Sequence, residues 1–127
     1  MLLIKTKLTA SSIHGFGVVA DEHIKKGAEV WRFQPGFDLE KTKEEVAALP
    51  EHAREWLKQF AYLDHHIDQY ILSFDNARFI NHSEVPNIRP DYGKERHGVG
   101  IAQSDITPGD ELTINYREIE YVTWLGS

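Results

Sequence analysis

Arg78-Phe79-Ile80-Asn81-His82-Ser83, followed by Pro86-Asn87, sets an Asn-His-Ser turn directly behind an apolar pair and closes it with a second turn. Alone, such a run is a common way to satisfy buried backbone groups. Two other segments change its weight. Upstream stands His14-Gly15-Phe16-Gly17-Val18, and downstream stands Gly109-Asp110-Glu111-Leu112-Thr113-Ile114-Asn115-Tyr116.

The surroundings of these segments are mostly β. Residues 2–8 alternate apolar and polar side chains, which predicts a strand. Val18-Val19 and Glu29-Val30-Trp31-Arg32-Phe33 predict two more, with a turn at Lys26-Gly27 between them and a break at Pro35-Gly36. Thr42-x-x-Glu45 is a capping-box pattern that opens a short helix through Leu49, stopped by Pro50. From 51 to about 63, Ala53, Trp56, Leu57, Phe60 and Ala61 recur at helical spacing and form one apolar stripe, read here as core. Tyr70-Ile71-Leu72-Ser73-Phe74 predicts a strand leading into the Asn-His-Ser run. Strands at 99–103 and 111–116 follow, joined through the turn Thr107-Pro108-Gly109-Asp110. Short strands around one helical insertion predict a single α+β domain, mostly β.

Composition narrows the function. The chain has 127 residues, no cysteine and a net charge of −6. Disulfides, thiol catalysis and thiolate zinc clusters are excluded. The charge disfavours nucleic acid as a direct ligand and favours a basic peptide. Residues 38–68 hold eight acidic side chains against four basic ones. Two readings stand: solvated helix faces, or an electrostatic wall beside a groove for Lys- and Arg-rich peptide. MLLIKTKL is too short and too quickly interrupted by lysines for a signal sequence, and no run is long enough to span a bilayer. A soluble, cytoplasmic protein without a membrane partner is expected.

Two patterns point elsewhere and fail on context. Gly15-x-Gly17-x-x-Ala20, with Asp38 beyond, satisfies a loose dinucleotide-binding pattern. That pattern should open a helix, whereas Val18-Val19 are β-branched and the Lys26-Gly27 turn comes too soon. Asp64-His65-His66-Ile67-Asp68 offers metal-ligand residue types, but neighbouring histidines face different directions on a regular element, so no metal site is expected.

In their order and content, the three segments resemble the SET-domain protein-lysine methyltransferases, across roughly residues 12–116 apart from the insert. The resemblance implies a β-clip fold of short curved sheets. It also implies a helical insert at about 38–68, a pseudoknot-like C-terminal threading and a closing tail at about 117–127. It implies methyl transfer from S-adenosylmethionine to the ε-amine of lysine in a protein, with a histone or histone-like basic protein as one candidate substrate. His14, Gly15, Phe16 and Gly17 would line the methionine end of the cofactor, largely through backbone groups. Arg78 would pair with its carboxylate. Phe79 lies in the same binding run, and Asn81 and His82 would hold the ammonium and adenine ends. Tyr116 matches the catalytic tyrosine, bordering both cofactor and substrate channel; its phenol would orient the transfer without becoming the proton acceptor. Tyr70 would be a second catalytic and channel tyrosine, with Tyr62 as its competitor. Lysine's ordinary pKa is about 10.4, and an aromatic channel beside a sulfonium would lower it, so no dedicated base is required.

The sequence departs from the family at one place. Where many members carry a cysteine joined to a C-terminal zinc cluster, this chain has Glu84. Tyr121-Val122-Thr123-Trp124-Leu125 is the candidate replacement lid, with Tyr121 at the channel mouth, either folded back in cis or covered by a second subunit in a homodimer. The alternative to catalysis is a noncatalytic SET-like module that binds a peptide or partner.

Overall fold

The computed structural model describes residues 1–119, and the Tyr121 lid segment lies outside the described residues. Strands β1 (Thr6–Ala10) and β2 (Phe16–Ala20) form an antiparallel hairpin with Leu8 opposite Val18. The alternating N-terminal run therefore enters its strand late. Leu2 instead makes an isolated bridge to Trp31, so the two halves of that run pair with different partners. A second sheet has the order β3 (Glu29–Trp31), β9 (Val99–Ala102), β8 (Ile88–Asp91), which places Pro90 on an edge strand, where its missing N–H breaks no ladder.

The capping box is present. Thr42 Oγ1 accepts from the Glu45 N–H at 3.0 Å, and the Thr42 N–H donates to Glu45 Oε1 at 2.9 Å, opening α1 (Lys43–Ala47). Helix α2 (Glu51–Phe60) ends before the predicted boundary because Ala61 is already extended. The chain then runs into β5 (Tyr62–Asp64), which pairs with β6 (Gln69–Leu72), itself flanked by β4 (Leu39–Lys41). The insert is thus two helices set against a three-stranded sheet. Of the apolar stripe, Leu57 and Ala61 are buried with Val46 and Leu72, while Trp56 keeps 42% of its surface exposed.

The larger core joins Val18, Ala20, Ile24, Val30, Ile80, Ile88, Ala102, Ile106 and Leu112. Through it passes the C-terminal segment that ends in β10 (Thr113–Ile114), paired in parallel with β7 (Asn81–His82). On one side the Leu112 N–H donates to the Val18 carbonyl at 2.8 Å. On the other, the Ser83 N–H donates to the Ile114 carbonyl at 2.9 Å. Asn87 closes the clasp, its amide donating to the Glu111 carbonyl and accepting from the Thr113 N–H, both at 2.9 Å. This is the pseudoknot-like crossing.

Leu112 is fully buried where the crossing meets the core. Leu112→Ala should lower unfolding stability by about 3 kcal/mol, measured by denaturant titration, because the clasped backbone cannot collapse into the cavity.

Candidate active site

Asn81 organises the site. Its side chain is buried, and Nδ2 lies 2.9 Å from Glu111 Oε2, 3.0 Å from the Phe16 carbonyl, and 3.1 Å from both the His14 carbonyl and Ser11 Oγ. Carbonyls and carboxylates only accept, so the nitrogen, not the oxygen, must face this cluster. Ser11 Oγ also donates to both Glu111 oxygens at 2.8 and 2.9 Å. Thus Ser11, Asn81 and Glu111 lock the glycine turn from below. Residues 16–20 form a strand, not the helix a dinucleotide site needs.

Both glycines have a structural reason. Gly15 has φ +47°, a backbone conformation that L side chains rarely adopt. At Gly17 an added Cβ would lie 2.5 Å from Glu111 Oε2. The result is a turn pinned by the His14 and Phe16 carbonyls, with no side chain at two of its positions.

Tyr116 opens a 3₁₀ turn (Tyr116–Glu118) and is held at both ends. Its N–H donates to His82 Nδ1 at 3.0 Å, and its hydroxyl donates to the Ile80 carbonyl at 2.6 Å. Because Nδ1 accepts, neutral His82 carries its proton on Nε2, which faces Glu84 Oε1 at 3.2 Å. Arg117 reaches the same Glu84 oxygen at 2.6 Å, and these two partners, Arg117 first, hold the Glu84 carboxyl below the ordinary range. The residue standing where a cysteine was expected therefore staples the Asn-His-Ser turn to the Tyr116 turn.

The His65-His66 pair acts on the same turn. Both Nε2 atoms lie against the Glu118 carbonyl, at 3.0 and 3.2 Å, and the His65 N–H donates to the Ile119 carbonyl at 3.1 Å. Behind them Asp64 is wholly buried and accepts from the His66 N–H at 2.7 Å and the Tyr92 hydroxyl at 3.0 Å. Burial pushes the Asp64 carboxyl up against those two hydrogen bonds, and burial with the Asp64 charge pushes the Tyr92 phenol up. Among the described residues no three His, Asp or Glu side chains are grouped as metal ligands.

Beside Ile80 opens a small, largely apolar cavity of about 80 Å³, with Tyr62, Ser73, Ile114, Ile119 and Trp31 in its wall. The Trp31 indole N–H is buried without a hydrogen-bond partner among the described residues. His97 borders the cavity, stacked 3.9 Å from Phe33, with Glu40 and Glu95 each 2.7 Å from one ring nitrogen. Burial alone would raise the Glu40 carboxyl, but hydrogen bonds from His97 and Arg96 hold it below the ordinary range.

Of the residues singled out from sequence, His14, Gly15, Phe16, Gly17, Asn81, His82 and Tyr116 come together. Phe79 joins them, its ring 6.3 Å edge-on from Phe16. Arg78 stands at the margin, donating from NH2 to the Phe74 carbonyl at 2.7 Å. Tyr70 does not join them: it packs with Val46, Leu57, Ala61 and Leu72, and Tyr62 occupies the cavity wall instead. Sequence reading gave no role to Ser11 or Glu111, whose partnership spans 100 positions and leaves no local signature.

Comparison with known proteins gives a consistent result. The SET-domain family model matches residues 15–117. A Chaetomium thermophilum Polycomb Repressive Complex 2 chain bound to GSK126 is 25% identical, with TM-score 0.69 over 94% of this chain and 17% of that one. The same complex bound to S-adenosylmethionine in an autoinhibited conformation is 21% identical, with TM-score 0.67 over 94% and 16%. A Plasmodium falciparum chain described as a candidate histone methyltransferase is 25% identical, with TM-score 0.59 over 91% of this chain and 95% of that one. This chain spans only about a sixth of the Polycomb chains it matches. Among proteins of curated function, none matches.

The glycine turn and Glu111 should behave as one unit. Gly17→Ala should destabilise the protein and displace the Glu111 carboxylate, whereas in a Glu111→Ala background the added methyl should cost at least about 1 kcal/mol less. Thermal and denaturant unfolding of the four proteins measures that coupling, and strict additivity would refute it.

Proposed function

The chain belongs to the SET-domain family, and on that premise we propose that it methylates the ε-amine of lysine in a basic protein, using S-adenosylmethionine. The observation that carries this reading is a separation of spaces about one short strand pair. Asn81 faces the glycine turn, whereas the adjoining Ile80 lines the apolar cavity and accepts the Tyr116 hydroxyl. Neighbouring residues of an extended chain face opposite ways, so cofactor and substrate can approach from opposite sides.

The residues fit the cofactor at the glycine turn. Asn81's amide nitrogen is committed to the protein, so main-chain groups of the Asn-His-Ser turn are left to meet the adenine. In the parallel pair the Ser83 N–H bonds to Ile114, which leaves the His82 N–H and carbonyl turned away from β10. An adenine edge needs one donor and one acceptor of that kind. S-adenosylmethionine, when bound, supplies a methyl group activated by a sulfonium.

The remaining chemistry belongs to this chain. Free lysine is almost wholly protonated at neutral pH, with a pKa of about 10.4, and only the neutral amine is a nucleophile. The cavity's apolar wall disfavours the ammonium and so lowers that pKa. Tyr62 and Ile114 confine the aliphatic stem, and Tyr116, fixed through Ile80 and His82, keeps the amine on line. The Lys-rich substrate class follows from the net charge of −6.

Calorimetry with S-adenosylmethionine and a radiolabelled methyl-transfer assay on a basic peptide test the proposal. Tyr116→Phe should bind the cofactor within about twofold of wild type yet turn over on the order of 100-fold more slowly. Unchanged turnover would remove Tyr116 from the mechanism, and absence of cofactor binding by the wild type would favour a noncatalytic module. Between the two tyrosines, Tyr62→Ala should raise the peptide KM about tenfold, since an aromatic wall of the cavity is lost. Tyr70→Ala should change stability and leave that KM alone.

A further inference from the structure

Trp56 is a poor core residue and a well-placed surface one. It sits on α2 one turn before Phe60, with ring centroids 4.6 Å apart, yet Leu57 and Ala61 carry the helix's burial. What its exposed ring faces is Arg78. The guanidinium carbon lies 5.4 Å from the Trp56 centroid and 6.0 Å from that of Phe74, while NH2 donates to the Phe74 carbonyl. A guanidinium has five N–H groups, and fixing its long side chain costs rotamer entropy that a ligand would otherwise have to offset. Two aromatic faces and one carbonyl fix it here before any ligand arrives.

The aromatic contacts continue towards the glycine turn. Phe60 meets Phe79 at 5.6 Å, and Phe79 meets Phe16 at 6.3 Å, both edge-on. One wall therefore runs from the guanidinium to the turn whose carbonyls Asn81 pins. We infer that Trp56 is a positioning residue of the cofactor site: it holds Arg78 at the end of this wall, so that N–H groups not used by Phe74 receive a carboxylate. The inference rests on the S-adenosylmethionine reading and adds to it a residue from the insert that no motif marks.

The test compares S-adenosylmethionine with its decarboxylated analogue, which lacks only the carboxylate, by calorimetry on wild type, Trp56→Ala, Trp56→Phe and Arg78→Ala. A cation–π contact of this kind is worth about 0.5–2 kcal/mol, so Trp56→Ala should weaken S-adenosylmethionine binding by roughly 2- to 30-fold. Trp56→Phe, which keeps an aromatic face, should recover most of that loss. Decarboxylated analogue should bind all four proteins alike, and the KM for the peptide should not move. Trp56→Ala binding S-adenosylmethionine as wild type does, or losing both ligands equally, would overturn the positioning role. So would wild-type affinity in Arg78→Ala, with the cofactor reading left intact. A wild type that binds neither ligand would overturn both.

Discussion

One buried amide nitrogen draws together parts of the chain that are far apart in sequence. Asn81 Nδ2 is met by acceptors at residues 11, 14, 16 and 111, and two hydrogens must serve all of them. A buried acceptor left without a donor costs about 1–3 kcal/mol. The cluster can therefore form only if the glycine turn, the Asn-His-Ser run and the C-terminal strand arrive together. The requirement also explains both glycines. The turn must bend with a positive φ at Gly15, and Glu111 must press against Gly17 to reach the amide.

The same economy governs Tyr116. A phenol at the end of a short strand would swing unless its turn were fixed, and two separate segments fix it. His82 takes the backbone N–H and Ile80 the hydroxyl, while the β5–β6 hairpin holds the Glu118 and Ile119 carbonyls through His65 and His66. The hairpin is stiffened in turn by buried Asp64 and by Tyr92 stacked 3.6 Å from His66. The insert is thus mechanically coupled to the Tyr116 turn. Glu84 and Arg117 add a link at the surface, where water and salt screen an exposed pair and leave it weak. That link joins neighbouring turns but cannot do what a metal cluster does for a whole tail.

Local chemistry made some of this legible in the sequence. Thr42 and Glu45 announce their helix because a capping box is complete within four residues, and the three motif segments announce the site because each is short and contiguous. Long-range pairing left no such mark. β7 is two residues long, below any periodicity, whereas β10 falls inside the strand predicted at 111–116; what the sequence does not show is that the crossing brings the two side by side. Tyr70 and Tyr62 sit on paired strands, and sequence spacing cannot tell which one turns towards the cavity. The helix stripe concealed its own division: Leu57 packs inward, whereas Trp56 turns to a guanidinium. His65-His66 resembled ligands because a carbonyl clasp and a metal site use the same imidazole atoms.

The acidic insert also changes meaning once its partners are known. Asp38 accepts from the Gln34 and Phe74 N–H groups, Glu40 binds Arg96 and His97, Glu45 caps α1, Asp64 holds Tyr92, and Asp68 pairs with Lys43. Five of its eight carboxylates therefore have structural work, leaving Glu44, Glu51 and Glu55 on the helices as the more freely solvated remainder. A wall dedicated to basic peptide is not needed to account for the charge. Attraction for such a peptide would then come from the net charge of the whole chain, −6. A diffuse field of that kind reaches about one Debye length, roughly 8 Å at physiological salt. It can speed encounter with Lys-rich chains in general, while under the proposed function the choice of one lysine is left to contacts in the cavity, whose lining includes Tyr62, Trp31 and His97.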